Sequence, residues 1–222
     1  HELAAHAHRL GLDVHALHVR VGRGDRAGDV GNEAAAIGAL GETSTEVTAA
    51  IDVNTRALAV YRHNFPGHRA LARNLDSIPA DALAAAGADL WWLSPPCQPF
   101  TRRGAQKDDR DPRAATFLAM IERIGELTPR AVALENVPGF VGSRVHGKLL
   151  ETLATARYEV AEHLLCPSEW GLPNRRRRYY LAAVCEGDLQ PLPERPAGRQ
   201  TVADLLDAEP EPGLEIPPEI VR

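Results

Sequence analysis

The sequence predicts an α/β fold built on a largely parallel sheet with helices on its faces. Two observations carry this expectation. From about residue 46 to residue 185, short apolar runs alternate with segments of helical periodicity, the pattern of strands joined by crossover helices. In addition, Asp52, Cys97 and Glu135 each stand just past the carboxyl end of a predicted strand. In open α/β sheets that edge is where ligands bind.

The elements follow in order. Residues 1 to about 45 are rich in Ala, Gly, His and Arg, and Val14, Ala16 and Val19 fit a strand only loosely. Residues 32–40 read as a short helix weakened by Gly38. Residues 47–51 form a buried strand ending in Asp52. Asn54 then opens a helix in which Ala57, Leu58, Tyr61 and Phe65 recur at helical spacing, and Pro66-Gly67 ends it. The next strand, residues 88–93, runs directly into Ser94-Pro95-Pro96-Cys97, and a polar loop continues to Arg110. Asp111 is a good N-cap and Pro112 a good first helical residue, which predicts a helix to about Leu127. Residues 131–134 form a strand leading to Glu135-Asn136, and a helix is expected over about residues 146–156. Residues 158–165 and 179–184 are later strands. Beyond Cys185 the chain is rich in Pro and Glu, with one short helical stretch near residues 202–206.

Bulk properties narrow the function. The 222 residues suffice for one substantial core. A net charge of -5, histidines neutral, excludes a globally basic nucleic-acid binder and restricts polyanion contacts to a local patch. No apolar run approaches a membrane span and no signal peptide is visible, so no membrane partner is expected. Three widely spaced cysteines make neither a disulfide framework nor a zinc pattern, and a reducing, cytoplasmic setting fits best. The chain begins at His1 rather than Met and reads as a fragment or, equally, as a processed or trimmed chain.

Chemistry concentrates around Cys97. Pro95, Pro96 and Pro99 stiffen the backbone on both sides of it. Such a loop holds a thiol in one place, where a stabilised thiolate is a nucleophile. A bare Pro-Cys pair would more often be a structural turn. The longer string decides otherwise, because Ser94-Pro95-Pro96-Cys97-Gln98-Pro99-Phe100-Thr101 resembles the catalytic motif of cytosine-C5 methyltransferases. The segment Glu135-Asn136-Val137-Pro138-Gly139-Phe140 is similar to that family's second catalytic motif. Gly171 to Tyr179, with its run Arg175-Arg176-Arg177-Arg178, is similar to the arginine motif, in which Gln-x-Arg-x-Arg is usual. The three stand in the family's order, and the resemblance covers about residues 46–185.

The resemblance implies a Rossmann-like, S-adenosylmethionine-dependent methyltransferase acting on cytosine C5 in nucleic acid. It makes Cys97 the nucleophile toward C6, gives Glu135 the ring N3, and gives Arg176 and Arg178 the orientation of the base. If a strand begins within the arginine run, Arg176 and Arg178 share one face, while Arg175 and Arg177 face phosphate or solvent. Asp52 takes the cofactor ribose and Asn74 its adenine. The substrate cytosine is flipped out of its stack, with the loop after Cys97 closing over it. Generic membership favours DNA. The strings Pro99-Phe100-Thr101-Arg102 and Ala50-Ile51-Asp52-Val53-Asn54, with Asn174 in place of Gln, resemble the branch that methylates transfer RNA. A monomer is expected.

Two regions depart from the family pattern. Its cofactor loop, roughly Phe-x-Gly-x-Gly-Gly, is replaced by Ala27-Gly28-Asp29-Val30-Gly31-Asn32-Glu33, which leaves Gly28 and Gly31 as the candidate cofactor glycines. Residues 1–45 are thus an altered N-terminal segment, and residues 46–185 the catalytic domain. Residues 186–222, too few for both a target-recognition region and the return that completes the catalytic domain, are the start of a truncated C-terminal region. The altered glycine loop keeps a different class of function open, a catalytically silent nucleic-acid-binding remnant. A thiol redox protein is disfavoured, because no second cysteine lies near Cys97 in sequence.

Overall fold

The computed structural model describes residues 16–22, 44–101, 108–189, 191–195 and 198–205, with side chains from residue 47 onward. Two compact units are present. The larger comprises His1–Leu165 with Arg177–Leu192, and the smaller Cys166–Arg176 with Pro193–Arg222.

The larger unit is an α/β sheet. Its strands are β1 (Ala16–Gly22), β2 (Ser44–Asp52), β3 (Ala70–Ala72), β4 (Leu90–Leu93), β5 (Ala131–Asn136), β6 (Glu159–Leu165) and β7 (Arg178–Val184), in the order β3-β2-β1-β4-β5-β7-β6. Among these described strands β2, β3, β4, β5 and β6 run one way. β7 runs against β5 and β6, and β1 runs against both β2 and β4. The expectation of a mainly parallel sheet therefore holds for strand direction. The two reversed strands nevertheless pair antiparallel with all their neighbours.

Capping residues set the helices. Helix α1 (Thr55–Asn64) starts at Asn54, whose side chain accepts from the backbone N–H groups of Arg56 and Ala57 at 3.0 and 3.2 Å. Helix α2 (Ala80–Ala85) is short and follows Pro79, with no side-chain cap. Helix α3 (Pro112–Leu127) starts at the buried Asp111, which accepts from the backbone of Arg113 at 3.0 Å and from its guanidinium at 2.9 and 2.8 Å. Helix α4 (Arg144–Thr155) starts at Ser143, whose hydroxyl accepts from His146 N–H at 3.1 Å.

Strand alternation divides the core between two faces. Trp91 and Leu93 of β4 and Val132 and Leu134 of β5 join Phe117, Met120, Ile121 and Ile124 of α3 and Val145, Leu149 and Leu153 of α4. Leu90, Ala131, Val184, Val47 and Ala50 form the smaller cluster on the opposite face, against Tyr61 of α1. The expected helix over residues 32–40 lies outside the described residues. No helix among the described residues is long and apolar enough to cross a membrane.

Candidate active site

The candidate residues converge on the carboxyl ends of β2, β4 and β5. Leu93 pairs in register with Leu134, so the turn leaving β4 stands beside Glu135 and Asn136 at the end of β5. Glu135 and Asn136 complete β5 rather than following it, and Asp52 likewise completes β2. Sequence reading ended both strands early because polar residues broke the apolar runs.

Cys97, partly exposed, caps a single turn of 3-10 helix (Gln98–Phe100), and its carbonyl accepts from Phe100 N–H at 2.9 Å. Phe100 is buried and meets the ring of Phe140 edge to face at 5.1 Å. Phe140 belongs to a second 3-10 turn (Pro138–Phe140) that directly follows β5. The two turns touch through their backbones as well. A Cβ on Gly139 would come 2.3 Å from the carbonyl oxygen of Phe100, so only glycine permits this approach. Asn136, almost fully buried, accepts from Val137 N–H at 2.8 Å through Oδ1 and directs Nδ2 at the Pro95 carbonyl 3.5 Å away.

Glu135 is held by Arg178. Arg178 Nε lies 3.1 Å from Glu135 Oε1, with the side chains 18% and 29% exposed, so the pair is shielded but reachable. The pair forms because β7 runs antiparallel to β5, which brings the first residue of β7 to the carboxyl edge of β5. Strand β7 begins at Arg178, so the expected alternation does not extend back through the arginine run. Arg176 lies in the smaller unit and is exposed.

Beneath this edge lies a polar network that sequence reading did not find. Tyr179 Oη donates to Glu162 Oε1 at 2.7 Å, and His146 Nε2 stands 2.6 Å from the same oxygen. Gly142 N–H donates to His146 Nδ1 at 3.2 Å, so the ring proton is on Nε2 and points at Glu162. Burial, then Glu162 itself, raises the Tyr179 hydroxyl above the usual tyrosine range, which keeps it a donor. Burial works to raise the Glu162 carboxyl, but the hydrogen bonds from Tyr179 and His146 outweigh it, and the net direction is down. A lowered carboxyl contributes stability above its unfolded value, and that contribution is lost as pH falls through the folded one. Glu162→Gln, which retains an oxygen acceptor, is expected to flatten the acid side of a melting-temperature profile below about pH 4.3. An unchanged acid limb would show that Glu162 carries no such linkage.

The far end of the loop after Cys97 is also tied down. Asp108, at φ 51°, accepts from Arg144 N–H at 2.6 Å and from Val145 N–H at 3.3 Å, adding a carboxylate to the amino end of α4. Residues 102–107 of that loop lie outside the described residues.

A family model described as C-5 cytosine-specific DNA methylase matches residues 30–210. This chain belongs to that family. The chain is 40% identical over 155 residues to a tRNA (cytosine(38)-C(5))-methyltransferase of Mus musculus, covering 69% of this chain and 37% of the relative. It is 42% identical over 139 residues to the Spodoptera frugiperda protein of the same name, covering 62% and 42%. The solved structure of the Entamoeba histolytica methyltransferase EhMeth superposes with a TM-score of 0.69 at 27% identity, over 77% of this chain and 55% of that one. The chain thus spans about two-fifths of the length of these curated relatives.

The chain offers part of a site for the cofactor that its family implies. Asp52 is buried and its Oδ1 accepts from Asn54 N–H at 2.5 Å, fixing the turn into α1. Asp52 pairs in register with Ala72, and Asn74 stands exposed just beyond β3 on the same edge. Val53, 57% exposed, adds apolar surface beside the carboxylate. A carboxylate, an amide and an apolar side chain on one edge fit a nucleoside. Gly28 and Gly31 lie outside the described residues. The ends of the segment carrying them are placed, because Gly22 pairs with Ser44 at the edge opposite Asp52 and Leu93. Among the described residues no cluster of His, Cys, Asp or Glu is arranged to hold a metal ion.

Proposed function

We propose that this chain is part of an enzyme that methylates C5 of cytosine in transfer RNA, using S-adenosylmethionine. The observation that carries the reading is the backbone contact of Gly139 with Phe100, which locks the Cys97 turn to the turn that follows Glu135. Two motifs distant in sequence thereby form one rigid edge carrying a thiol, a carboxyl group and a guanidinium.

These groups suit the reaction. Cytosine C5 is a weak nucleophile until the ring is made electron-rich. The Cys97 thiolate forms a bond to C6, and the C5–C6 electron pair moves into the ring as N3 takes a proton from the Glu135 carboxyl group. Arg178 holds that carboxyl group and so positions it for N3. S-adenosylmethionine supplies, when bound, an electrophilic methyl group for C5, and Asp52, Val53 and Asn74 are the residues that would hold its nucleoside part. The C5 proton passes to solvent water, the electron pair it leaves behind re-forms the C5–C6 double bond and expels the Cys97 thiolate, and the N3 proton returns to Glu135, which restores the aromatic ring. The ring faces must be open to sulfur on C6, so the base is unstacked before reaction. Arg176 is assigned to the base by its place in the arginine motif.

Transfer RNA is preferred over the DNA expected on generic grounds because relatives about 40% identical carry transfer-RNA names. Covalent trapping tests both points. The chain is incubated with cofactor and 5-fluorocytosine in transfer RNA or in duplex DNA, and adducts are read on denaturing gels. An adduct with RNA is expected. An adduct with DNA alone would overturn the substrate, and no adduct with either would overturn the reaction. The altered glycine loop, Ala27-Gly28-Asp29-Val30-Gly31-Asn32-Glu33, favours a second reading, a nucleic-acid-binding remnant without methyl transfer. Calorimetric titration with S-adenosylmethionine separates the two, since only the enzyme reading requires binding.

A further inference from the structure

The smaller unit contains a cleft of about 500 Å³ lined by Ser168, Glu169, Gly171, Arg175, Arg195, Gly198 and Arg199. Three guanidinium groups face one carboxylate there, in a chain whose overall charge is -5. Arg195 Nη2 lies 3.4 Å from Glu169 Oε2, so one arginine is partly neutralised. Among the described residues neither Arg175 nor Arg199 pairs with a carboxylate. Both are exposed, and two cations held near each other without a counter-charge repel unless an anion joins them.

The walls are tied together. A 3-10 turn (Pro167–Trp170) ends at Gly171, whose φ of +81° is left-handed and suits glycine. Gln200 N–H donates to the Gly171 carbonyl at 2.7 Å, and Leu172 N–H to that of Pro167 at 3.1 Å. The Cys166 thiol meets Ser168 Oγ at 3.1 Å and the Asn174 carbonyl at 3.8 Å, which ties the two ends of this segment together. A Cβ on Gly198 would meet nothing within 4 Å, so this wall leaves room for a ligand.

We propose that this cleft binds the phosphodiester backbone of the substrate nucleic acid through Arg175 and Arg199, with Glu169 and Arg195 setting the strength of the grip. The proposal rests on the nucleic-acid reading above and adds to it where the strand is held. Guanidinium forks match phosphate oxygens two at a time, and such contacts give register and affinity without reading bases. A chain with net negative charge needs a local basic patch of this kind to approach a polyanion.

The test uses the whole chain and a fluorescently labelled RNA stem–loop, with anisotropy measured across salt concentrations. The double variant Arg175→Ala/Arg199→Ala is expected to bind at least tenfold more weakly. Its plot of log affinity against log salt should flatten by roughly 0.7 for each phosphate that the variant no longer neutralises. Glu169→Gln, which removes the opposing charge, is expected to bind several-fold more tightly, and it remains informative if the double variant fails to fold. Unchanged affinity and slope in a folded double variant, or no tightening in Glu169→Gln, would overturn the proposal. So would polyglutamate of equal charge displacing the RNA as well as unlabelled RNA does. Trapping on 5-fluorocytosine in the same samples separates the two readings. An adduct with an unaltered salt slope removes the cleft alone, and a flattened slope without an adduct removes the methylation alone.

Discussion

Cys97→Ser is expected to lower methyl transfer by at least on the order of 10⁴-fold, the scale on which loss of an activated nucleophile acts. Sulfur and oxygen differ here by acidity more than by size. A thiol ordinarily ionises near pH 8.5, so part of it is thiolate at neutral pH, whereas a serine hydroxyl needs a base to take its proton. Cys97 caps a turn through its backbone carbonyl, which serine reproduces, so the turn itself is kept. The side chain is partly exposed, and the stability change should stay within about 0.5 kcal/mol. Single-turnover methyl transfer, with melting temperature measured beside it, checks the claim. Activity within tenfold of the native protein would remove Cys97 from the chemistry, and a lowered melting point would assign it to the fold.

Phe140→Ala carries the second large effect, on stability, at about 3–5 kcal/mol. The ring is fully buried and stands 5.1 Å from Phe100, 5.9 Å from Phe117, 5.2 Å from His146 and 5.3 Å from Tyr179. These four partners belong to the turn after Cys97, to α3, to α4 and to β7. Removing the ring would leave a cavity where those elements meet, with too little local freedom to close it. Against a total stability of about 5–15 kcal/mol, this is a large fraction. Phe140→Leu, which refills most of the volume, should lose only about 1 kcal/mol. Urea midpoints of the native and variant chains measure both, and a cost for Phe140→Ala below that of Phe140→Leu would contradict the packing argument.

Features written in neighbouring residues were legible before the structure. Helix α1 after Asn54 and helix α3 after Asp111-Pro112 were readable because caps and N1 prolines act within one turn. Strands β5 and β7 were readable as apolar runs, although the polar ends of β5 and β2 were cut short. The three residues of β3 and six of α2 carry too little periodicity to be seen. Within the site, Cys97 and Glu135 stood out through their motifs. The Arg178–Glu135 pair, the Gly139 approach and the tie from Asp108 to α4 did not, because each joins segments that only the sheet brings together. The Glu162–His146–Tyr179 network had no signal, since its three residues come from three elements that are separate in sequence. The direction of β1 had none. A strand's own side-chain alternation is the same whichever way it runs, and only its connections and neighbours decide.

That reversed strand determines how the sheet can come apart. Among the described strands, β1 alone joins the β3-β2 pair to the β4-β5-β7-β6 block. It pairs antiparallel with β2 along its whole length, from Ala16 opposite Ile51 to Gly22 opposite Ser44. Its departure would bare the ladder edges of β2 and β4 together, two rows of unsatisfied amides and carbonyls flanked by Trp91, Trp92 and Ile51. Such edges are templates for pairing with other chains. The route to aggregation in this protein therefore runs through the middle of the sheet rather than its margins, and hydrogen exchange should find its earliest loss of protection there.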